Sequence, residues 1–160
     1  MQSAMRRLWR LFSTRKRVQA SAEPFEDGLA AHQRGDYATA LKFWRPLAEQ
    51  GNANAQYRLG LIYANGRGMP QDNAEAVKWY GMAAEQGDAE AQLNLGHMYT
   101  VGRGVSEDAL LAYMWFDLSA AHGEKKAKES RDTAAKRMTP AQTAEAQRMA
   151  REWMAKHPQP

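Results

Sequence analysis

Two stretches, YANGRGMPQDNAEAVKWY at residues 63–80 and YTVGRGVSEDALLAYMWF at residues 99–116, repeat one pattern at a distance of 36 residues. When residues 48–83 are aligned with residues 84–119, 16 of the 36 positions are identical. A fixed period of about 20 to 50 residues is the signature of proteins built from stacked structural repeats. The duplication therefore predicts a repeat architecture.

Each repeat unit is predicted to contain two helices. Apolar residues at spacings of three and four indicate helices at about residues 52–65 and 72–86. Asp72 is a suitable N-cap for the second helix, because its carboxylate can accept hydrogen bonds from unpaired backbone N–H groups. Gly87 stands where a left-handed residue would end that helix. The pattern as a whole predicts an all-α fold.

Eight recurring residues are predicted to maintain the repeat structure: Gly60, Gly66, Gly68, Trp79, Gly96, Gly102, Gly104 and Trp115. Gly60 and Gly96 lie inside the first helices, where glycine costs about 1 kcal/mol relative to alanine. We therefore expect another helix backbone to pass close to them. The Gly-Arg-Gly sequence lies between the two helices, where it supplies the backbone angles for reversing the chain. It lacks the Lys-Ser/Thr of a phosphate-binding loop, and an anion site at its arginine is the alternative.

The segment AEQGNANAQYRLGLIYANGRGMPQDNAEAVKWYGMAAEQGDAEAQ, residues 48–92, resembles the Sel1-like repeat, a 36-residue relative of the tetratricopeptide repeat. The resemblance extends over about residues 35–123. It implies helical hairpins stacked in a right-handed superhelix, with the first helix of each pair lining a concave surface. Some cysteine-rich members have been described as penicillin-binding or β-lactamase-like. This chain has no cysteine, so we do not expect that activity here.

The rest of the chain is expected to extend this stack. The predicted order is repeats at about residues 24–50, 51–86 and 87–122, a degenerate unit at 123–137 and a C-terminal capping helix at 138–156. In the degenerate unit Arg131 and Asp132 replace the Leu-Gly pair, which suits a terminal repeat with one face in water. The capping box TPAQ at residues 139–142 begins the last helix. The side chains expected to close the end of the stack are Ala144, Met149 and Trp153.

No catalytic motif stands out in the sequence. The four histidines lack the spacing of a zinc site, and the lack of cysteine excludes disulfides and thiolate metal sites. We therefore predict no enzyme activity and no cofactor. Residues 23–120 contain 7 Lys/Arg and 13 Asp/Glu, so an extended nucleic-acid surface is not expected. The recurring Trp79, Trp115, Tyr63 and Tyr99 are interpreted as packing residues, with an aromatic ligand cage as the alternative.

On the first helices of the two full repeats, scaffold positions are constant while others vary. The varying positions predicted to face a partner-binding groove are Tyr57, Arg58, Leu61, Asn65, Leu93, Asn94 and His97. Such a groove suits an extended or helical peptide; alternatively, these are ordinary solvent-facing side chains. We predict a monomeric adaptor with a protein or peptide partner. The second hypothesis is an exported envelope protein that binds a cell-wall fragment or another non-protein ligand.

Residues 1–22 form a basic leader without acidic residues. Its residues suited to contact with an anionic membrane are Arg6, Arg7, Trp9, Arg10, Arg15, Lys16 and Arg17. Three interpretations remain open: a disordered tail, a short interfacial helix, and an export signal cleaved before Glu23. The first two place the protein in the cytoplasm or at the inner membrane, and the third places it in the periplasm.

N-terminal sequencing of the protein from fractionated cells distinguishes these interpretations. We expect the full-length chain in the cytoplasmic or inner-membrane fraction, whereas cleavage of an export signal would leave Glu23 as the mature N-terminus. A retained leader on a protein that ignores anionic liposomes would exclude both the export signal and the interfacial helix.

Overall fold

The computed structural model describes residues 23–159, and within this range the chain folds into eight α-helices without a β-strand. The helices are α1 (Pro24–Gln33), α2 (Tyr37–Glu49), α3 (Ala53–Asn65), α4 (Asn73–Glu85), α5 (Ala89–Val101), α6 (Ala109–Ala121), α7 (Lys125–Ala135) and α8 (Pro140–Lys156).

The helices pack largely in chain order. Helices α1 and α2, α3 and α4, and α5 and α6 form hairpins, and each second helix also packs against the first helix of the next unit. The first helices α3, α5 and α7 contact one another in succession, whereas α2, α4 and α6 contact one another less. The first helices therefore lie on the inner side of the stack. The predicted all-α superhelix of stacked hairpins is confirmed.

Local capping sets the ends of the helices. The Asp72 carboxylate accepts the backbone N–H of Glu75 at 3.0 Å, as predicted for an N-cap. The predicted capping box at the start of α8 is also confirmed, with Thr139 and Gln142 hydrogen-bonded in both directions. The first glycine of each Gly-Arg-Gly is the left-handed C-cap of a first helix, with φ of 62° at Gly66 and 65° at Gly102.

The glycines inside the first helices make room for an aromatic ring. A Cβ at Gly60 would lie 2.5 Å from the Tyr80 ring, and one at Gly96 would lie 2.6 Å from the Phe116 ring. The expectation that a helix backbone passes close by is wrong. The ring comes from the second helix of the same hairpin and lies against the first helix, because glycine presents no side chain there. Gly28 faces the Trp44 ring in the same way.

The second glycine of each Gly-Arg-Gly connects neighbouring hairpins. A Cβ at Gly68 would lie 2.6 Å from Cβ of Tyr37, the first residue of α2. Gly104 likewise approaches the backbone of Asn73, the first residue of α4. Tyr37 and Asn73 are 36 residues apart, so the same joint recurs. The loop can approach the preceding hairpin this closely because the second glycine lacks a side chain.

Trp79 and Trp115 lie in the apolar interior at equivalent positions. They are 4% and 6% exposed, respectively. Trp79 belongs to a core cluster with Leu59 and Ile62 of α3, and Trp115 belongs to a cluster that includes Leu95 of α5. Both side chains therefore stabilise the packing of the two helices within their hairpin.

Two buried glutamines, which sequence reasoning missed, connect neighbouring helices. Gln56 Nε2 donates to the Ala48 carbonyl at 3.0 Å, and the Gln86 side chain donates to Gln56 Oε1 at 2.8 Å. In the next repeat, Gln92 Nε2 donates to the Ala84 carbonyl at the same distance. Each glutamine thus donates a hydrogen bond to a backbone carbonyl near the end of the preceding second helix. The signal available in the sequence was their 36-residue separation.

The last two helices pack on α6. Helix α7 packs on α6, and Arg131, at the position of Leu95, donates to Asp117 of α6 at 2.8 Å. Helix α8 packs across α6 rather than on α7. Its Trp153 ring contacts the Trp115 ring at 6.1 Å, and its Nε1 donates to Glu85 of α4 at 3.2 Å. Since α7 carries charged residues where the earlier repeats carry Leu and Gly, α8 finds its apolar contacts on α6 instead.

The packed face of α8 also differs from the prediction in one residue. Trp153 is buried and Met149 is half-buried, as expected, but Ala144 is exposed. The buried alanines are Ala146 and Ala150, which are four residues apart and share a face with Trp153. Ala144 is therefore not part of the packed face of α8.

Substitution of the helix glycines tests the role of the aromatic rings. Gly60→Ala is expected to destabilise the protein by about 1–3 kcal/mol, because the methyl group would displace the Tyr80 ring. Gly81→Ala is the matched control, because no other part of the protein lies within 4 Å of its missing Cβ. It should stabilise α4 by about 0.5–1 kcal/mol. Urea unfolding followed by circular dichroism measures both, and equal effects would contradict the ring–glycine account.

Candidate partner-binding surface

The inner surface of the stack has an aromatic floor. The rings of Trp44, Tyr80 and Phe116 come from three second helices at intervals of 36 residues. All three rings are buried. They therefore support the residues of the first helices above them and leave contact with a partner to those residues.

The predicted groove residues lie on α3 and α5, which are adjacent on the inner side. The half-buried ones are Tyr57, Arg58, Leu61, Leu93 and Asn94, and the exposed ones are Asn65 and His97. The structure thus brings residues of two successive repeats to one side of the stack.

Arg58 and Asn94 occupy equivalent positions on α3 and α5 and rest on the aromatic floor. The Arg58 guanidinium lies 5.9 Å from the centre of the Trp44 ring, within the range of a cation–π contact. The side chain of Asn94 interacts with the hydroxyl of Tyr80. Burial raises the pKa of Tyr80, and the nearby Arg103 and Asn94 oppose that rise. The phenol therefore stays neutral.

Tyr57, Leu61 and Asn65 have mainly intramolecular contacts. The Tyr57 ring lies 6.0 Å from the Tyr80 ring. Burial is the main cause of the raised pKa of Tyr57, and the interaction with the Glu90 carboxylate raises this pKa further. Leu61 packs against the core cluster, and Asn65 Nδ2 donates to the Leu61 carbonyl at 2.9 Å. These residues shape the surface, and their free polar atoms are few.

His97 borders a pocket of about 290 Å³ between α5 and α7. Its imidazole packs edge-on against the Phe116 ring at 4.9 Å. Although the residue is exposed overall, desolvation of the imidazole beside this ring lowers the pKa of His97. The polar residues that complete the pocket are Thr100, Glu129, Ser130, Thr133 and Arg137. A small pocket with a phenyl floor and a polar rim can accept an apolar side chain and orient it by hydrogen bonds.

Sequence reasoning missed the α7 side of this pocket. Glu129, Ser130 and Thr133 stand 36 residues after Leu93, Asn94 and His97. This 36-residue spacing could have identified them, because it continues into the degenerate repeat even though the Leu-Gly pair is lost. The inner surface therefore spans three first helices, one more than the variable positions of the two full repeats indicated.

A second, larger cleft of about 640 Å³ lies between α6, α7 and α8. It exists because α8 leaves α7 to pack on α6. Lys125 and Lys128 line it on the α7 side, and the half-exposed Met154 lines it on the α8 side. No residue of the predicted groove borders this cleft, so it is separate from the inner surface.

The aromatic-cage alternative does not fit the geometry. Trp79 and Trp115 are buried in the core, and the Tyr63 hydroxyl accepts a hydrogen bond from Arg45 at 2.5 Å. A cage needs ring faces open to a ligand. Within residues 23–159, no three His, Asp or Glu side chains are grouped to hold a metal ion. No helix in this range has the length and apolarity needed to cross a bilayer. The predicted membrane-contacting residues of the leader lie outside the described range.

Similar proteins are found both among protein families and among solved structures. The family model for the Sel1 repeat matches residues 25–52, 53–88 and 89–124. The protective antigen c5321 of uropathogenic Escherichia coli, which displays an SLR fold, is 28% identical to this chain with a TM-score of 0.80. The match covers 87% of this chain and only 31% of that protein.

Two further solved structures are similar. A Sel1 repeat protein from Oxalobacter formigenes is 36% identical with a TM-score of 0.63, and the match covers 69% of this chain and 86% of that one. Cysteine-rich protein B of Helicobacter pylori is 22% identical with a TM-score of 0.59, covering 64% of this chain and 78% of that one. At this identity the likeness concerns the fold alone. No curated protein matches the chain.

Histidine titration provides a test of the site's environment. Burial lowers the pKa of His32, His97 and His122 below the ordinary value of 6.5. Because the unfolded chain then binds more protons than the folded one, the free energy of unfolding should fall as the pH drops from about 7 through the lowered pKa values. NMR titration should give midpoints below 6.5 for these imidazoles in the folded protein. Midpoints unchanged by unfolding in urea would contradict this.

Proposed function

The chain belongs to the Sel1 repeat family, and we propose that it is a non-enzymatic adaptor that binds a partner protein along the inner surface of its superhelix. Members of this family are helical repeat scaffolds that generally mediate protein–protein interactions and are generally non-catalytic. The partner segment would lie across α3, α5 and α7, where residues from three successive units are adjacent.

The observation that carries this proposal is a pair of polar side chains held in place without polar partners. Within residues 23–159, neither the Arg58 guanidinium nor the His97 imidazole takes part in a hydrogen bond or ion pair, yet each packs against a ring. Packing limits the side-chain entropy that binding would otherwise cost, and the N–H groups remain available. Arginine in such a setting is frequent at the centre of protein interfaces.

A monomer with a cytoplasmic or membrane-peripheral location accords with this proposal. A single chain leaves its inner surface open to another protein, and the basic leader would place the adaptor near anionic lipid headgroups. The N-terminal sequencing experiment tests the location, and sedimentation of the purified chain tests the oligomeric state.

Crosslinking in cells tests the binding surface. The double variant Arg58→Glu, His97→Glu should lose the proteins that the wild type captures, because it places two negative charges on the inner surface. The double variant Lys42→Glu, Arg151→Glu is the control, since Lys42 on α2 and Arg151 on α8 are exposed elsewhere on the molecule. Circular dichroism verifies that both variants fold. Capture that is unchanged in the first variant, or lost equally in both, would refute the assignment of the inner surface.

A further inference from the structure

The cleft between α6, α7 and α8 is a second site, which the proposed adaptor function does not use. Leu118 and Ala121 of α6 line it, together with Lys125 and Lys128 on the α7 side and Met154 on the α8 side. Its volume of about 640 Å³ lies within the range of about 300–1,000 Å³ that ligand sites occupy. The cleft is therefore large enough to hold a small molecule.

The residues of α7 border two different cavities. Lys125, Lys128 and Arg131 follow one another at intervals of three residues and line the cleft. Glu129 and Thr133 line the inner pocket beside His97 instead. Residues three apart on a helix are neighbours, with Cβ atoms about 5–6 Å apart. The two lysines therefore stand side by side at the cleft and apart from the inner surface.

The carboxylates that line the cleft already have partners. Asp117 accepts a hydrogen bond from Arg131 Nη1 at 2.8 Å, and Glu124 accepts a backbone N–H at the start of α7 at 3.0 Å. In contrast, neither Lys125 nor Lys128 takes part in an ion pair within residues 23–159. The cleft therefore carries two positive charges that no direct ion pair neutralises.

The cleft also has an apolar part. The Met154 side chain is 44% exposed, and it is one of three large hydrophobic side chains exposed in the described chain. Leu118 and Ala121 add apolar surface from α6. Methionine is flexible and polarisable, so it can adapt its shape to a ligand. A molecule in the cleft would therefore meet both positive charge and apolar side chains.

This combination indicates the chemistry of the ligand. We propose that the cleft binds a small molecule in which a carboxylate or phosphate group is attached to an apolar body. The anionic group lies beside Lys125 and Lys128, and the apolar body covers Met154 and Leu118. A lysine ammonium is a compact charge with three rotatable donors, so it can bind either kind of oxyanion.

A small molecule fits this cleft better than a helix of a partner protein. The apolar part of the α6 side lies within residues 118–121, which is about one helical turn, or about 5 Å. An amphipathic helix docks through apolar residues at i, i+3, i+4 and i+7, which span about two turns. The α7 side offers Lys125, Lys128 and Arg131 over that length.

NMR spectroscopy of the ¹⁵N-labelled full chain, with octanoate as the probe, tests this inference. Octanoate should shift the amide signals of Leu118, Ala121 and Met154 saturably, with a Kd below about 5 mM, and leave those of Asn94 and His97 unchanged. Octanol, which lacks the charge, should bind at least about threefold more weakly. Acetate, which lacks the apolar chain, should not saturate in this range. Octyl phosphate shows whether a phosphate is preferred to a carboxylate.

Matched lysine variants test the charged side of the cleft. The double variant Lys125→Gln, Lys128→Gln should weaken octanoate binding about threefold to tenfold, as expected for the loss of two exposed ion pairs. The control Lys126→Gln, Lys136→Gln removes the same charge from exposed residues of α7 and its C-cap that do not line the cleft. It should leave binding unchanged.

A methionine pair tests the apolar side in the same way. Met154→Gln should weaken octanoate binding about threefold to tenfold, because it removes apolar contact area. Met82→Gln, at a methionine of α4 that is 39% exposed, should leave binding unchanged. Circular dichroism verifies that all four variants fold.

The inference would be overturned by the absence of saturable octanoate binding below about 5 mM, by equal binding of octanol, or by equal losses in the control variants. Binding of a Glu-rich helical peptide that requires Lys125 and Lys128, without lysine-dependent binding of octanoate, would assign the cleft to a partner protein instead. None of these measurements involves Arg58 or the inner surface. The cleft site and the adaptor proposal can therefore each fail without the other.

Discussion

The contact between a glycine of the first helix and an aromatic ring of the second underlies each hairpin of this protein. It occurs three times in the described chain, between Gly28 and Trp44, Gly60 and Tyr80, and Gly96 and Phe116. Because glycine has no side chain, the ring can lie against the backbone of the first helix. The three rings recur every 36 residues along the chain. Close approach of this kind contributes many small dispersion contacts that a wider separation would lose. The distance between the two helices, and hence the shape of every unit, follows from this one contact.

The same contact shapes the inner surface. Because each ring lies beneath a glycine, the neighbouring residues of the first helices rest on a flat aromatic support and not on flexible side chains. The Arg58 guanidinium lies over Trp44, Asn94 interacts with Tyr80, and His97 packs on Phe116. Polar groups held this way lose little conformational freedom on binding. The scaffold and the proposed binding surface therefore depend on the same rings, and a change to a ring should affect both stability and recognition.

The regular stack of hairpins ends at α7, the first helix that lacks the glycine of the glycine–ring contact. In α7 Asp132 stands at the position of Gly96 and Arg131 at the position of Leu95, and Arg131 pairs with Asp117 of α6. A carboxylate in place of a glycine cannot admit a ring, so α7 has no second helix of its own. Helix α8 packs on α6, and Trp153 reaches Glu85 of α4. This change of path leaves the cleft between α7 and α8 and leaves the α7 side of the inner pocket open.

The sequence by itself determined the all-α class, the 36-residue period and the ends of the helices. These properties depend on interactions within a few residues, such as the carboxylate of Asp72 and the N–H of Glu75, or on a pattern that repeats. It also identified Gly60 and Gly96 as special without identifying what they face, because the ring lies twenty residues away and nothing local marks the contact. Only the tertiary structure decided the path of α8, since the bond from Trp153 to Glu85 joins residues 68 apart that belong to no repeat. Only the tertiary structure showed that α7 completes the inner surface, because a pocket is formed by side chains from different helices and its existence depends on how closely those helices pack.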